Sequence, residues 1–187
     1  MRIISGSFKG KKLIEPKDIK TRPLKDLTKE SIFNIIHHSN KFRVNLKNAN
    51  VLDLFSGVGS FGIECLSRGA KKVTFVENYK GVLPILKKNL LNLRSISNYN
   101  IIEDNIYDEK IIFKLSEKFN IIFLDPPYKD KNYIEVIKSI KIKDMLSKKY
   151  ILLIHREMNS ENEINKYINI LEKRIYGRSE IFFGRFL

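Results

Sequence analysis

Two short stretches combine residue types that do chemistry rather than only fill space: Asp53-Leu54-Phe55-Ser56-Gly57-Val58-Gly59-Ser60-Phe61-Gly62 and Asp125-Pro126-Pro127-Tyr128. The first is a glycine-rich turn. Glycine has no side chain to hold a ligand off and takes positive φ readily, so a ligand can lie against bare backbone there. Gly57, Gly59 and Gly62 satisfy the spacing of a dinucleotide fingerprint, and Glu77 stands 20 residues after Gly57, where that fingerprint places a ribose-binding carboxylate. A nicotinamide dinucleotide is therefore one reading. Asp53 argues against it, because an acidic side chain near the end of the preceding strand repels a pyrophosphate. S-adenosylmethionine has no phosphate and carries an ammonium and a sulfonium, which suit Asp53, while Glu77 can accept from both ribose hydroxyls.

The second stretch sets an acceptor-only carboxylate, Asp125, beside two prolines and an aromatic ring. Pro126 and Pro127 stiffen the loop and remove two backbone donors, leaving nearby carbonyls to accept from an amine. Tyr128 offers a flat face on which a base can stack. Such a set suits a planar amino group, for example the exocyclic amine of guanine or adenine. The lone pair of such a group is delocalised into the ring. It attacks poorly until it is oriented and stripped of a proton, or hydrogen-bonded toward pyramidal geometry. Asp125 and the Pro126 carbonyl are the expected acceptors.

For these stretches to meet, distant segments must reach one edge of a sheet. From Val51 onward, short apolar runs alternate with amphipathic stretches, the pattern of an α/β fold with a parallel sheet and helices on both faces. The pattern predicts strands at 51–55, 72–76, 99–102, 120–124 and 150–155, with helices at 60–68, 80–93, 109–115 and 133–140. A further helix is expected over about 161–171, then β runs at 173–176 and 180–186 joined at Gly177-Arg178 as an antiparallel edge hairpin. The glycine turn then follows the first strand and Asp125 the fourth. In such sheets ligands bind beyond the carboxyl ends of the strands, where the strand order reverses. Before Asn50, Arg2-Ile3-Ile4-Ser5 and Lys11-Lys12-Leu13-Ile14 flank Gly6 and Gly10 as a short basic hairpin. Thr21-Arg22-Pro23 reads as extended, and a helix capped by Asp26 or Thr28 follows. The expected division is a basic appendage at 1–49 and an α/β domain at 50–187.

A chain of 187 residues, 43% of them hydrophobic, suffices for one core. Its longest apolar runs fall far short of the roughly 20 residues that cross a bilayer, and no apolar leader follows the N-terminal charge, so a cytoplasmic protein without membrane attachment is expected. Cys65 is the sole cysteine and the three histidines are scattered, which excludes an internal disulfide and a cysteine–histidine metal site. His37 and His38 read as surface residues, His155 as a hydrogen-bonded structural histidine and Cys65 as a small buried apolar residue. The 35 basic and 21 acidic residues give a net charge of +14, which favours a polyanion such as nucleic acid. Of those 35, 26 are Lys, and Ala occurs only twice, the drift of an AT-rich genome, so position counts for more than total. Lys9, Lys11, Lys12 and Arg22 cluster nearest the expected site and have the best claim to phosphate contacts.

Several of these stretches carry a resemblance. They are Arg2-Ile3-Ile4-Ser5-Gly6 through Lys9-Gly10-Lys11-Lys12-Leu13, Arg22-Pro23 ahead of Lys29-Glu30-Ser31-Ile32-Phe33-Asn34, Leu52-Asp53-Leu54-Phe55-Ser56-Gly57, Ser67-Arg68-Gly69-Ala70, Asp125-Pro126-Pro127-Tyr128 and Tyr176-Gly177-Arg178-Ser179. Over nearly its whole length the chain resembles the bacterial 16S ribosomal RNA guanine-N2 methyltransferases of the small-subunit type. The resemblance implies a Rossmann-like class I methyltransferase with a seven-stranded, mostly parallel sheet and S-adenosylmethionine as donor. It further implies a monomer acting on the N2 amine of a guanine in 16S rRNA, free or within an assembling small subunit. The catalytic set it implies is Asp125, Pro126, Pro127 and Tyr128. At the cofactor it implies Asp53, Phe55, Ser56, Gly57, Gly59, Glu77, Asn78 and Ile106, with either Asp104 or Asn105 against the adenine. Arg2, Lys9, Lys11, Lys12, Arg22 and Lys29 are the implied RNA contacts. Two other readings stay open: an amino-group methyltransferase for DNA adenine or protein glutamine, and an rRNA-binding assembly factor of the same fold without turnover.

Overall fold

In the computed structural model, which describes residues 1–16 and 24–187, the alternating runs become seven strands. They are β1 (Asn50–Leu54), β2 (Lys72–Val76), β3 (Tyr99–Ile102), β4 (Phe119–Leu124), β5 (Leu146–Glu157), β6 (Ile168–Tyr176) and β7 (Ser179–Phe186). Helices α1 (Asp26–His38), α2 (Ser60–Ser67), α3 (Leu83–Leu91), α4 (Glu109–Lys114), α5 (Tyr133–Ile142) and α6 (Glu161–Ile164) occupy the connections. Arg22, expected among the RNA contacts, and its extended run lie outside the described residues.

The sheet order is β3-β2-β1-β4-β5-β7-β6. Pairing is parallel from β3 to β5 and antiparallel from β5 through β7 to β6, as the α/β reading expected. The chain leaves β1 on one side through β2 and β3 and returns on the other through β4 and β5. Strand order therefore reverses between β1 and β4, the place where ligands bind beyond the carboxyl ends of the strands in such sheets.

Alternation along the strands sorts the core into two layers. Val51, Ile121 and Phe123 face one, and Leu52, Leu54, Ile122 and Leu124 the other, the period of strands covered on both sides. In the first layer Phe33 of α1 stacks on Phe61 of α2 at 5.2 Å, and Phe61 on Phe123 of β4 at 4.2 Å. In the second, Tyr133, Val136, Ile137 and Ile140 bury the inner face of α5. Ile3, Leu13 and Leu24 share the first layer with Phe75 of β2, so the described part of 1–49 packs into the same core as the sheet.

The basic N-terminal hairpin forms as expected but is short: Arg2 and Lys12 make an antiparallel bridge, with Ile3 N–H donating to the Lys11 carbonyl at 2.9 Å and Leu13 N–H to that of Met1 at 3.1 Å. The amides of Ile4 and Ser5 donate to Glu64 Oε2 (2.7 Å) and Oε1 (2.9 Å) on α2. A charged acceptor holds an amide more strongly than a strand carbonyl does. Gly6 permits this approach, since its φ is +84° and a Cβ there would lie 1.8 Å from the Ser67 carbonyl oxygen. The helix expected over about 161–171 ends at Ile164, and β6 begins at Ile168. Ile164, Ile168 and Leu171 satisfy a helical period, but Ile168 and Ile170 equally satisfy a strand period, and pairing with Phe186 and Gly184 of β7 decides between them. Among the described residues no helix is long and apolar enough to cross a membrane, and no group of three or more His, Cys, Asp or Glu could hold a metal.

Candidate active site

The turn after β1 is shaped by backbone. Phe55 (φ +60°), Gly57 (φ +55°) and Gly59 (φ +84°) are all left-handed. The N–H and Oγ of Ser56 donate to the Val76 carbonyl at 3.1 and 2.9 Å, tying the turn to the end of β2. Gly59→Ala is expected to destabilise the protein by about 1–3 kcal/mol, because alanine is strained at that φ and its Cβ would meet Leu86 Cδ1 at 2.5 Å. A shift of the urea midpoint checks it, and an unchanged midpoint rejects the strain.

Asp53, expected to meet a cofactor's ammonium, stands inside at 1% exposed, and its Oδ2 accepts the Gly62 N–H at 2.9 Å. It holds the first turn of α2 against β1. Burial pushes its pKa well up; the Gly62 bond opposes this, and the charges of Asp125 and Glu77 raise it further. Glu77 is already engaged: Oε2 accepts the Gly57 N–H at 2.7 Å, and Oε1 the Asn78 and Tyr79 N–H groups at 2.9 and 2.8 Å. A carboxylate has about four lone-pair positions, so Glu77 as it stands can take one more hydroxyl. A ribose diol engages it through both oxygens only if the Gly57 amide lets go.

Asn78 is exposed beside Glu77, as are Asp104 and Asn105 just past β3, while Ile106 is buried. Asp104 Oδ1 accepts the Asn105 N–H at 2.8 Å and Asn105 Oδ1 the Tyr107 N–H at 3.1 Å. The expected cofactor residues thus follow the carboxyl ends of β1, β2 and β3 in turn. Bare backbone at Gly57 with the Glu77 carboxylate beside it and Asp125 at the neighbouring strand end fits a cationic nucleoside such as S-adenosylmethionine, and opposes a pyrophosphate.

On the other side of the reversal, register brings β4 and β5 together. Leu124 pairs with Ile154, so Asp125, just past the end of β4, stands beside His155, which is still paired with Ile181 of β7, and His155 Nδ1 lies 2.8 Å from Asp125 Oδ1. His155 is hydrogen-bonded as expected, but to the carboxylate proposed for catalysis. Arg156, 4% exposed, clamps the loop that follows. Its Nη1 donates to the Pro127 carbonyl (3.0 Å) and its Nη2 to those of Tyr128 (2.9 Å) and Asp130 (2.8 Å). The guanidinium lies 4.2 Å over the Tyr133 ring. Arg156 Nη1 also sits 3.4 Å from the Pro126 carbonyl, so this acceptor, expected to be free for an amine, is shared. Pro126 is buried, Pro127 exposed, and the half-buried Tyr128 ring lies edge-on to His155 at 6.0 Å. Tyr107 joins the two sides of the reversal: its hydroxyl donates to Asp130 Oδ2, and its ring lies 5.9 Å from that of Phe55. Sequence reading missed Arg156 and Tyr107; carrying the β4–β5 register one residue past Leu124 is the signal that pairs Asp125 with His155.

Of the expected RNA contacts, Arg2, Lys9, Lys11 and Lys12 are exposed. Lys29 is a correction. It is 0% exposed; its Nζ donates to the Arg2 carbonyl (2.6 Å) and Ser60 Oγ (3.3 Å), with Glu64 and Asp26 carboxylates each 3.8 Å away. A buried ammonium held by buried Glu64 reaches no phosphate. Buried Asn89 makes a second tie, donating from Nδ2 to the carbonyls of Ile14 and Val58, each at 3.1 Å. Lys29 and Asn89 thus bond the basic N-terminal stretch to the glycine turn and the start of α2.

Known proteins are similar to this chain in sequence and fold. Ribosomal RNA small subunit methyltransferase D of Buchnera aphidicola subsp. Baizongia pistaciae is 33% identical over 170 residues, covering 90% of this chain and 80% of that protein. Bacillus subtilis YlbH, named as a candidate rRNA methyltransferase, is 32% identical over 182 residues, covering 95% and 94%. Among solved structures, Escherichia coli yhhF, described as a candidate methyltransferase, superposes with a TM-score of 0.79 at 25% identity over 100% of this chain and 97% of that one. The Rossmann-like methyltransferase fold expected from the sequence is therefore the fold present. A family model described as Conserved hypothetical protein 95 matches residues 1–185, and the chain belongs to that family.

Proposed function

We propose that this chain is a cytoplasmic, S-adenosylmethionine-dependent rRNA methyltransferase that methylates the exocyclic N2 of a guanine in 16S rRNA. One observation carries the reading: the glycine turn with its carboxylates and the Asp125-Pro126-Pro127-Tyr128 loop follow the carboxyl ends of the neighbouring strands β1 and β4, where the strand order reverses. The relatives named as small subunit methyltransferases support the substrate class.

When bound, the cofactor supplies an electrophilic methyl on a positively charged sulfur that leaves as a neutral thioether. The chain's own residues position everything else. Glu77 and Asp104 or Asn105 hold the nucleoside end, Gly57 and Gly59 allow its close approach, and Asp53 keeps the turn in place through Gly62. Asp125 Oδ2, the oxygen not bonded to His155, accepts a hydrogen bond from the guanine amine, aims its lone pair, and takes its proton as the nitrogen–carbon bond forms. Tyr128 covers the base, and Arg156 keeps the loop carbonyls in place.

Arg2, Lys9, Lys11 and Lys12 grip RNA phosphates in this reading. Replacing Lys9, Lys11 and Lys12 by Gln should weaken RNA binding and flatten the slope of log affinity against log salt by about 2–3. Fluorescence anisotropy across a salt series reads this out; an unchanged slope removes these lysines from the interface. The function itself is tested by mass spectrometry of digested small-subunit RNA. Purified protein and methyl-labelled S-adenosylmethionine are incubated with naked RNA and, separately, with partly assembled subunits. Label on one N2-methylguanine is the expected result. Label on adenine or protein, or none despite cofactor binding, overturns it.

A further inference from the structure

Building on the methyltransferase reading, we infer that His155 is a positioning residue for Asp125 whose charge state switches that carboxylate between a competent and an incompetent proton acceptor. The geometry is specific. His155 Nδ1 lies 2.8 Å from Asp125 Oδ1, and both side chains are partly exposed, at 11% and 22%. His155 Nε2 is buried with no hydrogen-bond partner among the described residues, so its bond to Asp125 is what orients the ring. Donation from Nδ1 occupies Oδ1 and turns Oδ2 to the substrate amine.

The groups facing this imidazole are few. Asp125 at the end of β4 bonds it, and Tyr128 of the Pro-Pro loop lies edge-on. Arg156 follows it on β5, and across β7 it meets Ile181, with Glu180 opposite Arg156. Buried Asp53 lies within electrostatic reach of Asp125.

With His155 neutral, Asp125 carries a full negative charge. The amine nitrogen bonds to the methyl carbon, the carbon–sulfur bond breaks with its electron pair left on sulfur, and the nitrogen's proton passes to Oδ2. With His155 protonated, the imidazolium neutralises its partner, and the carboxylate becomes a poor acceptor. Burial pulls the imidazole pKa down, but the charge and hydrogen bond of Asp125 outweigh it against opposition from Arg156, leaving the pKa above its ordinary value. The acid form therefore persists to higher pH than in a free imidazole.

The test is the single-turnover rate of methyl transfer to small-subunit RNA at saturating S-adenosylmethionine between about pH 5.5 and 9. Wild type is compared with His155→Asn, whose amide keeps a donor near the Nδ1 position but cannot be charged, and with His155→Leu, which has no donor. The wild-type rate should fall about tenfold per pH unit below an inflection above roughly 6.5. His155→Asn should lose that inflection, being about threefold slower than wild type near pH 8.5 and faster near pH 5.5. His155→Leu should be about tenfold slower at pH 8.5, the effect that Asn rescues. An inflection that survives in His155→Asn, or His155→Leu matching wild type, overturns the inference and leaves the methyltransferase reading standing. No transfer by wild type at any pH overturns that reading and the inference with it.

Discussion

Replacing Asp125 by asparagine is expected to slow methyl transfer by about 100- to 10,000-fold, the range for losing a positioned general base. Asparagine keeps the size and one oxygen acceptor, so the amine can still be oriented, but it accepts no proton. The backbone should not move: the Asp125 N–H donates to the Leu54 carbonyl, and Arg156 grips the next carbonyls whichever side chain stands at 125. Binding of S-adenosylhomocysteine, whose sulfur is neutral, should stay within about threefold of wild type, since the residues proposed to hold it follow the ends of β1, β2 and β3. Single-turnover kinetics and calorimetry together check this. Turnover at the wild-type rate removes Asp125 from the chemistry, while loss of homocysteine-product binding would make it part of the cofactor site instead.

Lys29→Met should lower stability by about 3 kcal/mol, the lower part of the range for breaking a buried ion pair. Burial pulls the Lys29 pKa down more than Glu64 and Asp26 raise it, and Arg68 lowers it further. Without the ammonium, the Arg2 carbonyl and Ser60 Oγ lose their donor. Glu64 keeps the Ile4 and Ser5 amides and Arg68 Nε at 2.7 Å, which is why the loss does not reach the top of the range. In a domain of this size the melting temperature should fall by roughly 6–12 °C. Adding Glu64→Gln to Lys29→Met should deepen the loss, because the amide nitrogen of Gln cannot accept from the Ile4 or Ser5 amide and Arg68 loses its carboxylate partner. A single-variant melting temperature within about 2 °C of wild type would show the cluster to be energetically idle.

Much of this molecule is determined by sequence alone, because the signals are local. Period-2 runs at 72–76 and 99–102 became β2 and β3 with the expected bounds, and the order of elements along β1 to β5 followed from alternation. The glycine turn and the placing of Glu77 and Asp125 at strand ends needed only the chain's own φ preferences and strand geometry. Tertiary structure decided what depends on which distant residues become neighbours. Asp125 meets His155 across 30 residues because of the β4–β5 register. Lys29 turns inward because Glu64 and Ser60 offer buried acceptors on a helix that is remote in sequence. Asp53 and Glu77 spend their oxygens on backbone amides of the turn, and Arg156 on the carbonyls of the Pro-Pro loop. The same logic moved the start of β6 to Ile168, where two periodicities coincide and only the β7 ladder separates them. A residue type states which hydrogen bonds and charges it can offer; the partner that takes them is chosen when burial removes water as the alternative.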